Sequence, residues 1–254
     1  PRPRPIYLVS TGRRGLNTWS LKPCLMSEEL LPSLLVAHPG LSRNEPEIAA
    51  NIAIQLEHMG LAVRGVSLLR RIRDVVAKLE PKTILEVGAG IGHLSAWLLD
   101  YFADAEKTPE RYTIVEEGSR FAVIIKRMLG SSSSRDWAEV IVGNPIILAA
   151  ETKAWSLSGT TADQPILPDR PDCIIVDTTS EKIVETVTSL LPLLNKGGLL
   201  LTTEPIAPSG ERESDDGEVV AFNEWIDLIK RCNDTHILAF MPIYGGTLVA
   251  FHNA

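Results

Sequence analysis

The densest chemical signal in this 254-residue chain is the run Ile84-Leu85-Glu86-Val87-Gly88-Ala89-Gly90-Ile91-Gly92-His93. An apolar, strand-like stretch leads into three glycines at alternate positions. Without Cβ atoms the chain can turn tightly and bring its backbone against a ligand. A helix starting beyond the loop adds unpaired N–H groups and positive partial charge. Dinucleotide sites use G-x-G-x-x-G with a pyrophosphate on that helix end. Here the spacing is G-x-G-x-G, and His93 stands where the last glycine is wanted. Glu86, placed just before the loop, would repel a pyrophosphate and attract an ammonium group. A zwitterionic, aminoacyl-bearing nucleoside meets these conditions, and S-adenosylmethionine (SAM) fits that description. A second acid follows one unit later, at the end of Tyr112-Thr113-Ile114-Val115-Glu116. A carboxylate at such a strand tip can accept both ribose hydroxyls.

These groups need a frame to hold them. Short β-branched runs occur at 83–87, 112–115, 140–142, 173–176 and 199–202. They alternate little, as central parallel strands covered on both faces do. Between them helices are expected over 92–102, 120–129 and 181–194, with a short turn near 146–151. This is the βα grammar of a doubly wound sheet. Two further helices are expected upstream, over 45–59 and 65–79. In the second, Leu68, Leu69, Ile72, Val75, Val76 and Leu79 share one face, and Arg70, Arg71, Arg73 and Lys78 fill the other. The end differs: 237–243 and 247–251 read as two strands joined through Tyr244-Gly245-Gly246, an antiparallel hairpin. Residues 156–171 and the acidic stretch 207–217 read as loops.

The bulk properties narrow the field. Hydrophobic residues make up 44% and charged residues 22%, which excludes disorder over most of the length. The net charge of −7 argues against a broad grip on nucleic acid. Locally, however, residues 1–27 carry Arg2, Arg4, Arg13, Arg14 and Lys22 and no acid. Cys24, Cys173 and Cys232 form no CxxC pair and read as reduced thiols. No apolar run reaches membrane-spanning length and no signal-like stretch opens the chain, so a cytoplasmic location is expected.

The order of motifs resembles the class I SAM-dependent methyltransferases. Residues 86–92 resemble the first motif of that family and Glu116 its ribose acid. Gly143-Asn144-Pro145 follows the third strand, where the family packs the adenine. Asp177 ends the fourth strand, and Leu194-Asn195-Lys196-Gly197-Gly198-Leu199 resembles the turn feeding the fifth. The resemblance spans about 65–252. Within the class, three stretches are similar to the catechol and caffeoyl-CoA O-methyltransferase group: Glu116-Glu117-Gly118-Ser119-Arg120-Phe121-Ala122, Phe222-Asn223, and Met241-Pro242-Ile243-Tyr244-Gly245-Gly246-Thr247-Leu248.

The resemblance implies an α/β fold with a doubly wound, mostly parallel seven-stranded sheet, a C-terminal antiparallel hairpin and an N-terminal helical extension. Residues 1–60 would form the extension and 61–254 the methyltransferase domain. It implies SAM as cofactor, S-adenosylhomocysteine (SAH) as product, O-methylation of a small hydroxylated molecule, and a homodimer as a possible assembly. Cofactor contacts are expected from Glu86, Gly88, Ala89, Gly90, Gly92, Glu116, Glu117, Gly143, Asn144 and Asp177.

The departures bear on mechanism. Metal-dependent members of the group hold a divalent cation through the acid ending strand four and an Asp-Asn pair ending strand five. Here Asp177 is present, but the other two positions read Thr203 and Glu204. The lysine those members carry three residues beyond the first acid is Ser180, with Lys182 two further on. A hard cation wants several oxygen ligands, so no metal site is assigned. Asp177 and Glu204 are the catalytic candidates, with Asp177 as base or anchor. His93 is expected to pack or cap, and Thr178 to cap the next helix with Glu181. Two other functions stay open: RNA methylation, suggested by the basic arm and the arginine face, and a catalytically silent binding protein.

Overall fold

The computed structural model describes residues 9–10, 30–104, 108–130, 136–158, 165–210 and 213–254. The basic residues of the N-terminal arm and Cys24 lie outside them. In chain order the elements are β1 (Val9–Ser10), α1 (Leu30–Leu35), α2 (Glu47–His58), α3 (Val66–Leu79), β2 (Thr83–Val87), α4 (His93–Asp104), β3 (Arg111–Glu116), α5 (Ser119–Gly130), β4 (Ala138–Val142), α6 (Pro145–Ser158), β5 (Cys173–Val176), α7 (Ser180–Leu190), β6 (Leu199–Thr203), α8 (Gly217–Cys232), β7 (Ile237–Ile243) and β8 (Gly246–His252). Among the described residues one sheet contains all the strands, in the order β1-β7-β8-β6-β5-β2-β3-β4. The pairs from β4 across to β6 are parallel, and β8 runs antiparallel to both β6 and β7. The expected seven-stranded sheet and terminal hairpin are therefore present. The two-residue β1 adds an eighth strand, antiparallel to β7.

Period-two alternation splits the core into two layers. Ile84, Cys173, Ile175, Leu199 and Leu201 pack toward α1–α4, while Leu85, Val87, Ile174, Val176 and Leu200 pack toward α6–α8. Leu31 and Leu35 of α1 and Ala49, Ile52 and Leu56 of α2 belong to the first of these clusters. Beyond Ile243 the chain reverses through Tyr244-Gly245, where Gly245 takes φ +94°, and Ile243 pairs with Gly246.

Two local expectations need correction. The short turn near 146–151 is the fourteen-residue helix α6. Asn144 starts it, its Oδ1 accepting from the N–H groups of Ile146 (2.9 Å) and Ile147 (3.1 Å). At the head of α7 the N-cap is Thr179, not Thr178, whose Oγ1 is buried without a partner.

The basic face of α3 is also explained. Lys78 Nζ donates to the carbonyls of Ser33 (2.9 Å) and Val36 (2.7 Å), Arg71 to Leu35 O (2.6 Å), Arg73 to Ser42 O (2.9 Å) and Arg70 to Arg43 O (3.1 Å). These side chains satisfy the carbonyl groups that end α1 and the loop after it. Among the described residues, no helix is long and apolar enough to cross a membrane. Cys173 and Cys232 are buried free thiols, and burial pushes both up.

Candidate active site

The strand order reverses between β2 and β5: the chain winds outward from β2 through β3 to β4 on one side, and through β5 to β6 on the other. Ligands of open α/β sheets bind in the crevice at the carboxyl ends of strands at such a point. The register brings those ends level, with Val87 opposite both Val115 and Val176, and Val176 opposite Thr202. Gly88, Glu116, Asp177 and Glu204 therefore leave the sheet along one edge.

Gly88 has φ +82°, and a Cβ there would overlap the carbonyl of Asp177. Its N–H donates to Val115 O (3.1 Å), while Asp177 N–H donates to Val87 O (2.9 Å). Only glycine permits this approach of loop to strand tip. Gly90, at φ +57°, would meet nothing within 4 Å if it carried a Cβ, so the loop leaves open space there.

Glu116 is nearly buried and held at both oxygens. Gly90 N–H donates to Oε2 at 2.7 Å and Gly118 N–H to Oε1 at 2.8 Å. Each carboxylate oxygen retains a further acceptor site. Glu117 accepts from Lys182 Nζ at 2.7 Å and from Asn144 Nδ2 at 3.1 Å, linking the ends of β3, α6 and α7. Lys182 is thus tied to Glu117.

Two cavities open from this edge. The smaller, about 270 Å³, is bordered by Gly88, Gly90, Glu116, Glu117, Asn144 and Asp177. The larger, about 540 Å³, is bordered by Ala89, His93, Asp177, Glu204, Arg64 and the hairpin tip Gly245-Gly246. Gly88, Gly90, Asp177, Thr178 and Thr179 border both, so one strip of backbone separates two compartments.

Asp177 sits on that strip. Its Oδ1 lies 2.5 Å from Arg64 Nη2. Burial raises its pKa above the ordinary carboxylate value, against the pull of Arg64. His93 places Nε2 3.3 Å from Glu45 Oε1 and leaves Nδ1 without a partner; burial lowers its pKa and favours the neutral ring.

Glu86 lies inside the fold. Its side chain is fully buried, and its oxygens accept from Ser95 Oγ (2.9 Å) and from the Tyr112 hydroxyl. It borders neither cavity. Period two puts residue 86 on the same side as Ile84, under α4 rather than toward a ligand. Burial raises its pKa to about 7. Gly92 and Gly143 border neither cavity as well. A Cβ at Gly92 would press on Met128 (3.0 Å) and Ile125 (3.2 Å), and one at Gly143 on Leu148 (3.0 Å). These two glycines serve close packing. The other expected cofactor residues and both catalytic candidates line the cleft. Sequence reasoning missed Arg64, which carries no motif, and Gly118, whose N–H holds Glu116.

No protein-family model matches the sequence, and no curated protein resembles it significantly in sequence. Solved structures do resemble it. The O-methyltransferase TomG of Streptomyces achromogenes, involved in tomaymycin synthesis and solved with SAM, is 18% identical; the match covers 83% of this chain and 92% of that one, at a TM-score of 0.63. An O-methyltransferase from Bacillus cereus, solved with SAH, is 16% identical over 82% of this chain and 92% of its own, at 0.62. A Podospora anserina methyltransferase, PaMTH1, also bound to SAH, is 13% identical over 93% of this chain and 100% of its own, at 0.58. The switch-point cleft thus stands in a chain that shares the fold of these methyltransferases.

Proposed function

We propose that the chain is a SAM-dependent methyltransferase acting on a hydroxyl group of a small molecule. The pose of Glu116 carries this reading. Two backbone N–H groups fix its carboxylate at the wall of the smaller cavity, and its remaining acceptor sites suit the two hydroxyls of a ribose. The glycine loop leaves the room that the rest of the cofactor needs. Bound there, SAM supplies an electrophilic methyl group on a sulfonium centre.

The chain's own residues would do the rest. Asp177 and Glu204 border the larger cavity together with the Arg64 guanidinium, so its wall carries charge of both signs. Asp177 stands where the compartments meet, with Oδ1 held by Arg64 and Oδ2 left to take the proton of an acceptor hydroxyl. Its raised pKa makes it a stronger base than an ordinary carboxylate. The larger cavity suits a small acceptor. Val63 and Ile206 border it and leave apolar surface exposed. The arginines of α3 are committed to backbone carbonyls, which favours a small molecule over RNA.

Calorimetry with SAH tests the reading. Wild type should bind. Glu116→Gln removes a charged acceptor, at about 1.5–3 kcal/mol, so SAH should bind roughly tenfold to a hundredfold more weakly. Failure of the wild type to bind at ~1 mM would remove the proposal.

A further inference from the structure

Arg64 lies in the short connection between α2 and α3 and borders the larger cavity. Its Nη2 sits 2.5 Å from Asp177 Oδ1 and 3.4 Å from the Thr178 carbonyl oxygen. One guanidinium thus grips the tip of β5 through a carboxylate and a carbonyl. In the metal-dependent group that the sequence resembles, the acid at this tip is a cation ligand. The residues here do not fit a metal. The two partner positions at the end of β6 are Thr203 and Glu204, and among the described residues no three His, Cys, Asp or Glu side chains converge to hold an ion. A divalent ion at Asp177 would also stand beside a guanidinium that stays charged at any pH the fold survives.

We propose that Arg64 takes the place of the divalent cation: it anchors the Asp177 carboxylate and supplies the fixed positive charge at the acceptor end of the cleft, so the chain works without a metal. This rests on the methyl-transfer reading. Three observations agree. The charge is delivered by the chain itself, from the segment that enters α3. It contacts the one member of the family's ligand set that is retained. Beyond Asp177 and Thr178 the guanidinium has no partner among the described residues, so its remaining N–H groups are left for an acceptor oxygen. In this scheme Arg64 both holds the Asp177 carboxylate and faces the acceptor, and Asp177 remains the group that receives the proton.

The test is a Mn²⁺ titration of SAH-loaded protein, followed by the paramagnetic resonance signal of the free ion, after calorimetry has fixed the SAH loading. Wild type should leave Mn²⁺ free through ~1 mM, and chelator should leave SAH affinity unchanged. Arg64→Gln removes the charge and keeps a polar side chain. Its Mn²⁺ affinity should rise at least about tenfold over wild type yet stay in the ~1 mM range, since a like charge no longer opposes the ion but Asp177 and Glu204 still make an incomplete ligand set. Adding Asp177→Asn should abolish that gain, and Arg64→Lys should behave as wild type. Mn²⁺ binding by wild type that Asp177→Asn removes would overturn the proposal. So would a folded Arg64→Gln protein with no gain over wild type. If Arg64→Gln does not fold, the wild-type and Asp177→Asn titrations decide alone. Loss of SAH binding by wild type would strike the methyl-transfer reading instead, and calorimetry reports it separately.

Discussion

Glu86 is a buried acid whose neighbours set a measurable pH dependence. Burial lifts its pKa from 4.5 to about 7, outweighing hydrogen bonds from Tyr112 and Ser95 that favour the ionised form. In the unfolded chain the same carboxyl titrates near its ordinary value. Between about pH 4.5 and 7 the unfolded state therefore gives up a proton that the folded state keeps. The stability linked to this group is complete below that window, falls as pH rises through it, and levels off above the folded value. At about 1.4 kcal/mol per pH unit, the full loss is about 3 kcal/mol. Glu86→Gln is neutral at every pH and nearly isosteric. Urea unfolding of both proteins at about pH 5 and about pH 8 gives the stability gap at each. That gap should move by about 2–3 kcal/mol in favour of Glu86→Gln at the higher pH. Groups that titrate alike in both proteins cancel. A gap that stays flat between the two pH values refutes the reasoning, because the carboxyl would then ionise alike in folded and unfolded chains.

Two further substitutions probe the frame. Gly88→Ala forces a Cβ onto the Asp177 carbonyl at φ +82°, so SAH affinity measured by calorimetry should drop at least about tenfold; unchanged affinity would mean the loop relaxes freely. Asp74→Ala strips the partner from a buried pair in which Arg73 Nη2 lies 2.6 Å from Asp74 Oδ1, and also removes the acceptor of His38 N–H (3.0 Å). Urea unfolding should show a cost of about 3–5 kcal/mol, and a loss below about 1 kcal/mol would mean that Ser42 O and the Trp97 ring suffice for Arg73.

The central strands were legible because burial on both faces leaves compact β-branched runs: 83–87 and 173–176 are β2 and β5 to the residue. The helix α6 was hidden because its apolar residues do not cluster on one side. Ile147 and Leu157 are exposed while Leu148, Ala149 and Thr152 are buried, which blurs a 3.6-residue signal. Glu86 shows two signals at odds. Its nearness to the loop suggested a ligand contact, whereas the parity of the strand, which the sequence also contains, assigned it to the core with Ile84. The positions of Gly88, Glu116 and Asp177 followed from strand ends, because a parallel register levels those ends automatically. Arg64 could not be read, since its partner Asp177 is brought near only by the winding of the sheet.

If the proposed methyl transfer holds, the close approach of Gly88 to the Asp177 carbonyl limits how acceptor choice can drift. On the methyl-transfer reading proposed above, one seam carries both the donor's cradle and the acceptor's acid, and its alignment is inherited from the pairing of Val87 with Val176. Donor and acceptor are thereby gauged against each other before either arrives. Val63 and Ile206 border the larger cavity off that seam with exposed side chains. Substitution there can retune which molecule is accepted while the gauge itself stays untouched.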